Sequence, residues 1–374
     1  MTTTVVHTIK PAGGGHFSSL DAWVIGALVV GDPGFPGLIA RNLVALDQIE
    51  VAEVYSGGSA LVARVDTNQA GWVTDATHYM EIRGAVGHQH QGIWDTNKAY
   101  FEVTSGGPHA FVYYQVTHLT EMQGRCTVGQ PFYMEIAGGA NGNSVIDRCI
   151  LIRTDGGAVA GTNSGFTGKT LTFLSSMIFA PSPTTYGLFC VSGTLNIYNC
   201  TLVATQPGGV GIESFAGTTN SQNNYIKADY CYDITSGVIN KGSNDATSTT
   251  EAVTPALRSI PYSTANFVSV TPGSENLHLV VGSVLRDAGV TTPAVIDIDG
   301  RMRIAPFDIG ADEYLDAPIC WNYTARYKSS NKLFKASGCG SFPRNLRVPG
   351  NVDTSTGRMV DDGILINPDE YEAV

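Results

Sequence analysis

The sequence predicts an all-β chain built as a right-handed parallel β-helix, with an N-terminal capping helix before it and an extended C-terminal arm after it. Three observations carry this expectation. A strand-period figure recurs along the chain, glycine punctuates it with 43 residues, and charged residues make up only 15%. Leu195-Asn-Ile-Tyr-Asn-Cys-Thr-Leu-Val203 shows the figure, and Ser144–Ile152, Leu171–Phe179, Thr219–Lys227 and Val112–Thr120 repeat it. Aligned, Thr117, Cys149, Ser176, Cys200 and Asn224 share one position and Leu119, Leu151, Ile178, Leu202 and Ile226 another, with gaps of 32, 27, 24 and 24 residues. Each copy alternates with the period of a strand. A repeat of 20–50 residues points to a solenoid, in which stacked neighbours supply the core that one coil cannot bury alone. A β-sandwich is the competing architecture, and five copies in register argue against it.

Three regions follow. Residues 1–40 hold a strand (1–10), the breaker Gly13-Gly-Gly15, and an amphipathic helix of about three turns with Ser18 as its cap. Leu20, Trp23, Val24, Ala27 and Leu28 form the apolar stripe of that helix, which is expected to cover the open first coil. Residues 41–314 form the β-helix and its terminal cap, irregular at first and regular from about 110 to 240. Second-face strands are expected at Phe132–Ile136, Gly187–Val191, Val210–Phe215 and Tyr232–Ile234. Cys149 and Cys200 become plain buried thiols on the inward ladder, whereas Cys320 and Cys339 stand either free or paired.

Residues 315–374 leave the repeat. Arg326, Lys328, Lys332, Lys335, Arg344 and Arg347 form a basic block, and six acids follow it with only Arg358 opposed. Four prolines argue against long helices, and short strands are expected at Ala325–Tyr327 and Gly363–Ile366. With the aromatics interleaved, the expected partner-binding residues are Tyr323, Arg326, Tyr327, Lys328, Lys332, Phe334, Lys335, Phe342, Arg344 and Arg347.

The segment Leu277-His-Leu, Asp287-Ala-Gly289, Asp297-Ile-Asp-Gly-Arg-Met-Arg303 and Asp308-Ile-Gly-Ala-Asp-Glu-Tyr314 resembles the C-terminal signature of right-handed parallel β-helix proteins of the pectate-lyase-like, choice-of-anchor kind. Phe17–Trp23 and His90–Asp95 resemble β-helix proteins frequent in phage and environmental sequences. These likenesses imply a fold, and a fold does not fix an activity.

Chemistry is sparse. Glu135, Asp147, Glu213, Asp229 and Asp233 are the candidate acids for neighbouring coils to bring together for glycoside hydrolysis. The aligned outer position reads Asp147, Leu174, Tyr198, Gln222, which is no acidic stack, and Asp147 with Arg148 reads as a surface pair. Tyr113, Tyr114, Phe132 and Tyr133 are a candidate sugar platform. Asp297–Gly300 lacks the ligand spacing of a calcium loop and reads as a turn in the end cap. His88 and His90 have no third ligand nearby. No catalytic residue, no metal and no cofactor is therefore expected.

The net charge of −11 falls wholly on residues 1–314, which argues against nucleic acid as a partner. No apolar run is long enough for a membrane span, and the N-terminus has no signal-peptide pattern. The expectation is a virion structural protein of a phage, made in the host cytoplasm: a capsid decoration (cement) protein or a surface spike. It would dock on other capsid or tail proteins through its arm, as a homo-oligomer and by analogy with β-helix spikes a trimer. The alternative is a tailspike-like depolymerase acting on a host-surface glycan.

Overall fold

The computed structural model describes residues 2–25, 42–56, 65–66, 72–103, 111–113, 116–127, 134–136, 143–162, 166–182, 185–241, 244–250, 257–315, 320–327, 333–339 and 371–373. It divides into two units: residues 1–299 with 303–314, and residues 300–302 with 315–374.

The first unit is a parallel β-solenoid. Its first sheet stacks nine strands in chain order, from Thr3–Ile9 and Gln48–Val54 through Asn143–Asp147, Thr170–Leu174 and Thr194–Tyr198 to Val238–Lys241. The second stacks seven, from Tyr100–Val103 to Ala246–Thr247, and the third stacks Gly157–Thr162, Thr185–Cys190, Val210–Ser214 and Tyr230–Ile234. Three shorter strands, Val65–Asp66, Phe111–Tyr113 and Met134–Ile136, form a further parallel sheet. The strands expected at Gly187–Val191, Val210–Phe215 and Tyr232–Ile234 are thus present, and of Phe132–Ile136 the described part, Met134–Ile136, is a strand.

Register follows the side chains. Leu171 pairs with Leu195, and Phe173 with Ile197, all without exposed surface. Burying a Leu, Ile or Phe contributes roughly 1.5–3 kcal/mol, so a slip of one residue, which turns every side chain to the opposite face, is strongly disfavoured. On the outer face Asn220 donates to Asn196 and Asn240 to Asn220, each at 2.8 Å. Leu151, Ile178, Leu202 and Ile226 stack as expected. The first copy needs correction. Leu119 pairs with Ile146, and Gly124 is the partner of Leu151, so Met122 rather than Thr117 precedes Cys149 in the ladder. The alignment slipped because Val112–Thr120 spans an earlier part of the coil.

Each recurring figure is two strands and a sharp corner. The corner residue is left-handed in Glu121, Arg148, Ser175, Asn199, Asn223 and Asn244, with φ between 43° and 73°. The corners lie 27, 27, 24, 24 and 21 residues apart. Asn tolerates this conformation best among residues with a Cβ. The following residue points inward. Ser176 Oγ accepts from Cys149 N, Asn224 Oδ1 from Cys200 N, and Asp245 Oδ1 from Asn224 N, at 2.7–3.0 Å. Cys149 and Cys200 have no exposed surface, as expected.

The segment carrying the signature motifs runs lengthwise along the solenoid as a strap. Asn244 donates to Ala288 O (2.9 Å), Asn223 to Val290 O (2.5 Å), and Ser175 to Ile296 O (2.5 Å). Between them Thr292 donates to Asn199 Oδ1 at 2.5 Å. The corner side chains therefore grip the strap rung by rung. Asp308 accepts from Asp287 N and Tyr314 N, and Arg303 pairs with Glu313 at 3.0 Å, both almost fully buried. Phe267, Leu277, Leu279, Leu285, Ile298 and Ile309 form a second core with Ile150, Val203 and Tyr225 on the outer side of the second sheet.

At the N-terminus the described helix is Leu20–Ile25, with Leu20, Trp23 and Val24 in the main core beside Phe17 and Trp72. Ser19 rather than Ser18 caps it, accepting from Ala22 N at 3.1 Å. In the second unit the backbone forms an antiparallel three-stranded sheet, Leu333–Cys339, Cys320–Tyr327 and Tyr371–Ala373. The expected strand at Ala325–Tyr327 falls inside it, and Gly363–Ile366 lies outside the described residues.

Candidate functional site

Of the expected docking residues, Tyr323, Arg326 and Tyr327 belong to Cys320–Tyr327, and Phe334 and Lys335 to Leu333–Cys339. The register sets Ala325 opposite Phe334, Thr324 opposite Lys335, and Tyr327 opposite Tyr371. Cys320 stands opposite Cys339. Lys328, Lys332, Phe342, Arg344 and Arg347 lie outside the described residues.

Of the acids singled out in the sequence, the fold brings two together. Glu213 and Asp233 are register partners on adjacent strands of the third sheet, in the column Phe189, Glu213, Asp233. The next column inward holds Leu188, Ile212 and Tyr232, so the acids belong to the outward set. Neighbouring strands lie about 4.8 Å apart, close to the carboxyl separation of about 5–5.5 Å used by retaining glycosidases. Glu213 is only 7% exposed, and its Oε2 has no hydrogen-bond partner. Burial raises its carboxyl pKa, the hydrogen bond from Thr235 opposes this, and the charge of Asp233 adds to it. Glu213 thus keeps its proton to higher pH beside a second, exposed carboxyl group, an arrangement suited to a general acid.

Aromatic side chains flank the pair. Tyr186 and Phe189 lie 5.9 Å apart, and Phe189 and Phe215 6.4 Å. Burial raises the Tyr186 hydroxyl, and Glu213 and Asp233 raise it further. Phe215 is 44% exposed beside Phe189. Both acids are the fourth residue of their strand, Val210–Ser214 and Tyr230–Ile234, a match hidden when the second strand is read as Tyr232–Ile234.

Asp147 and Asp229 do not join them. Asp147 pairs with Arg148 at 2.8 Å, yet Arg148 has no exposed surface and also binds Glu121. This overturns the surface-pair expectation: a cation so buried requires both carboxylates. Asp229 accepts from Gly208 N. The side chain of Glu135 and the platform of Tyr113, Tyr114, Phe132 and Tyr133 lie outside the description.

A cleft of about 250 Å³ opens on the second sheet between Trp94, Arg125, Phe179, Gln206 and Glu275. Arg125 stacks on Trp94 at 5.2 Å and pairs with Glu102 at 2.6 Å. The two histidines noted in the sequence separate. His88 Nδ1 lies 2.6 Å from Ser56 Oγ. His90 is buried, lies 2.9 Å from Arg148 O, and accepts from Gly92 N. Burial pushes its pKa down to about 4, so it is neutral and donates Nε2–H to that carbonyl.

No family model matches the chain, and no curated protein matches it. Among solved structures, the crystal structure of pectate lyase Pel9A is similar over 84% of this chain and 97% of that chain, with 10% identity and a TM-score of 0.36. The parallel β-helix stands on the strand ladders themselves.

Proposed function

We propose that the chain is a structural protein of a phage particle, a capsid decoration protein or surface spike, built in the host cytoplasm and attached through residues 315–374. The observation behind this reading is the division into two units: a solenoid stacked along one axis, and a C-terminal segment with its own antiparallel sheet. Such a body suits a rigid exposed element, and all of the net charge of −11 lies in it. The basic, aromatic segment suits attachment to a partner protein. Deleting residues 315–374 should leave a folded solenoid that no longer enters particles. Normal incorporation of the shortened chain would sink the attachment role.

A second reading, cleavage of a host-surface glycan, draws on Glu213 and Asp233 with their aromatic surround. It requires release of reducing ends from host polysaccharide and loss of that release in Glu213→Gln and Asp233→Asn. Unchanged release in both variants would remove it.

A further inference from the structure

The strap brings His278, Asp299 and Asp312 together, each offering one donor atom, with the three atoms within 4.8 Å of one another. They come from three separate places: the strand Asn276–Leu279, the turn after Asp297, and the final motif Asp308–Tyr314. His278 Nε2 lies 2.9 Å from Asp299 Oδ1. Two donors sharing one first-row ion at about 2.0–2.1 Å stand roughly 2.9–3.4 Å apart, so the pair already has the spacing of a shared ligand set.

Two further observations point to a ligand. Asp312 is 3% exposed, and its Oδ2 accepts from Leu279 N at 2.7 Å, while its Oδ1 is buried without a hydrogen-bond partner. A buried carboxylate oxygen left unsatisfied costs about 1–3 kcal/mol or more. The second concerns His278. Its Nδ1 faces Asn276 Oδ1 at 2.5 Å, and the same oxygen accepts from His278 N. Asn276 Oδ1 therefore holds the imidazole by Nδ1 and turns Nε2 to Asp299. A histidine ligand held by a hydrogen bond at its other nitrogen is the usual arrangement in metal sites. Gly92, at φ +69°, leaves the space above: a Cβ there would come within 2.5 Å of His278 Nε2 and 2.9 Å of Asp299 Oδ1.

We propose that His278 Nε2, Asp299 and Asp312 bind one divalent first-row transition ion, of the zinc or manganese class. One imidazole with two carboxylates suits such an ion better than calcium, which prefers six to eight oxygens. The ion would fasten three points of the strap to each other beside the His90 loop. The ligands are 21 and 13 residues apart, a spacing that no local motif encodes.

The test uses the full chain without a polyhistidine tag, stripped by chelator. Titration with Zn²⁺ should show one equivalent bound and a higher melting temperature. Co²⁺ should give the visible absorption of a nitrogen- and oxygen-ligated ion. Asp312→Asn keeps the acceptor for Leu279 N yet should weaken Zn²⁺ at least about tenfold, since even outer partners of a ligand are worth 10–100-fold; His278→Gln should do the same. Absence of Zn²⁺ and Co²⁺ binding by the unaltered chain would overturn the proposal whatever the variants do. Equal binding by the chain and both variants would also overturn it, because the ion would then lie elsewhere.

Discussion

Arg148 and Glu121 meet as an ion pair from adjacent corners of the solenoid, with the arginine wholly buried beneath the loop that carries His90. Arg148 also holds Asp147, and Gln89 donates to the far oxygen of Glu121. Removing the cation strands two carboxylates. Arg148→Met should therefore cost about 3–5 kcal/mol in denaturant unfolding. Adding Glu121→Gln should recover part of that loss, since residues in one network couple by about 0.5–3 kcal/mol. Additive single effects would show that the pair acts independently.

Asp245 ends the inward ladder. It accepts from Asn224 N, Ser221 Oγ and Tyr232 Oη, and burial raises its pKa to about 6. A carboxyl raised in the folded state binds a proton that the unfolded chain has already lost. Its contribution is full below about pH 4 and is lost as the pH rises through about 6. The expected loss is about 2–3 kcal/mol across that window. Asp245→Asn should flatten the stability profile there, and an unchanged profile would assign the dependence to other groups.

The solenoid thiols should be inert. Cys126, Cys149, Cys190, Cys200 and Cys231 are buried, and burial pushes Cys200 up to about 12 and Cys149 higher still. Thiolate is the reactive form. Alkylation followed by mass spectrometry should leave all five unmodified in native protein and label them on unfolding. Cys320 and Cys339, opposite in register, should join on mild oxidation, seen as a linked peptide after digestion.

Glu213→Gln separates stability from activity. The carboxylate has an oxygen without a partner and a like charge beside it. Its neutral isostere should stabilise the solenoid by about 1 kcal/mol at pH 8. A glycan-cleaving role further requires that release fall about 10²-fold or more, the usual contribution of a general acid. Stabilisation alone would make the residue a feature of the fold.

Much of the solenoid was legible because its side chains report register directly. Leu195, Ile197 and Leu202 alternate inward, and a fixed spacing carries them from coil to coil. The left-handed corners were half legible: Asn199 and Asn223 suit that conformation, whereas Arg148 and Ser175 give no such sign. The candidate acids were named singly, but Glu213 and Asp233 meet only once the third-face strands are aligned. The strap was legible as a motif and not as a path. Its grip depends on Asn244, Asn223, Asn199 and Ser175, contacts from 44 to 121 residues away that no local pattern encodes.

The strap also acts as a gauge. Successive corners from Asn244 to Asn199 take hold of it at Ala288, Val290 and Thr292, two residues per coil. The coils between Ser175 and Asn223 have equal lengths of 24 residues, so excising 199–222 would keep every strand ladder in phase. It would not keep the strap in phase, because one grip would have no counterpart. The number of coils is thus counted by a separate piece of chain, and a longer or shorter solenoid of this kind must change its strap by a matching step.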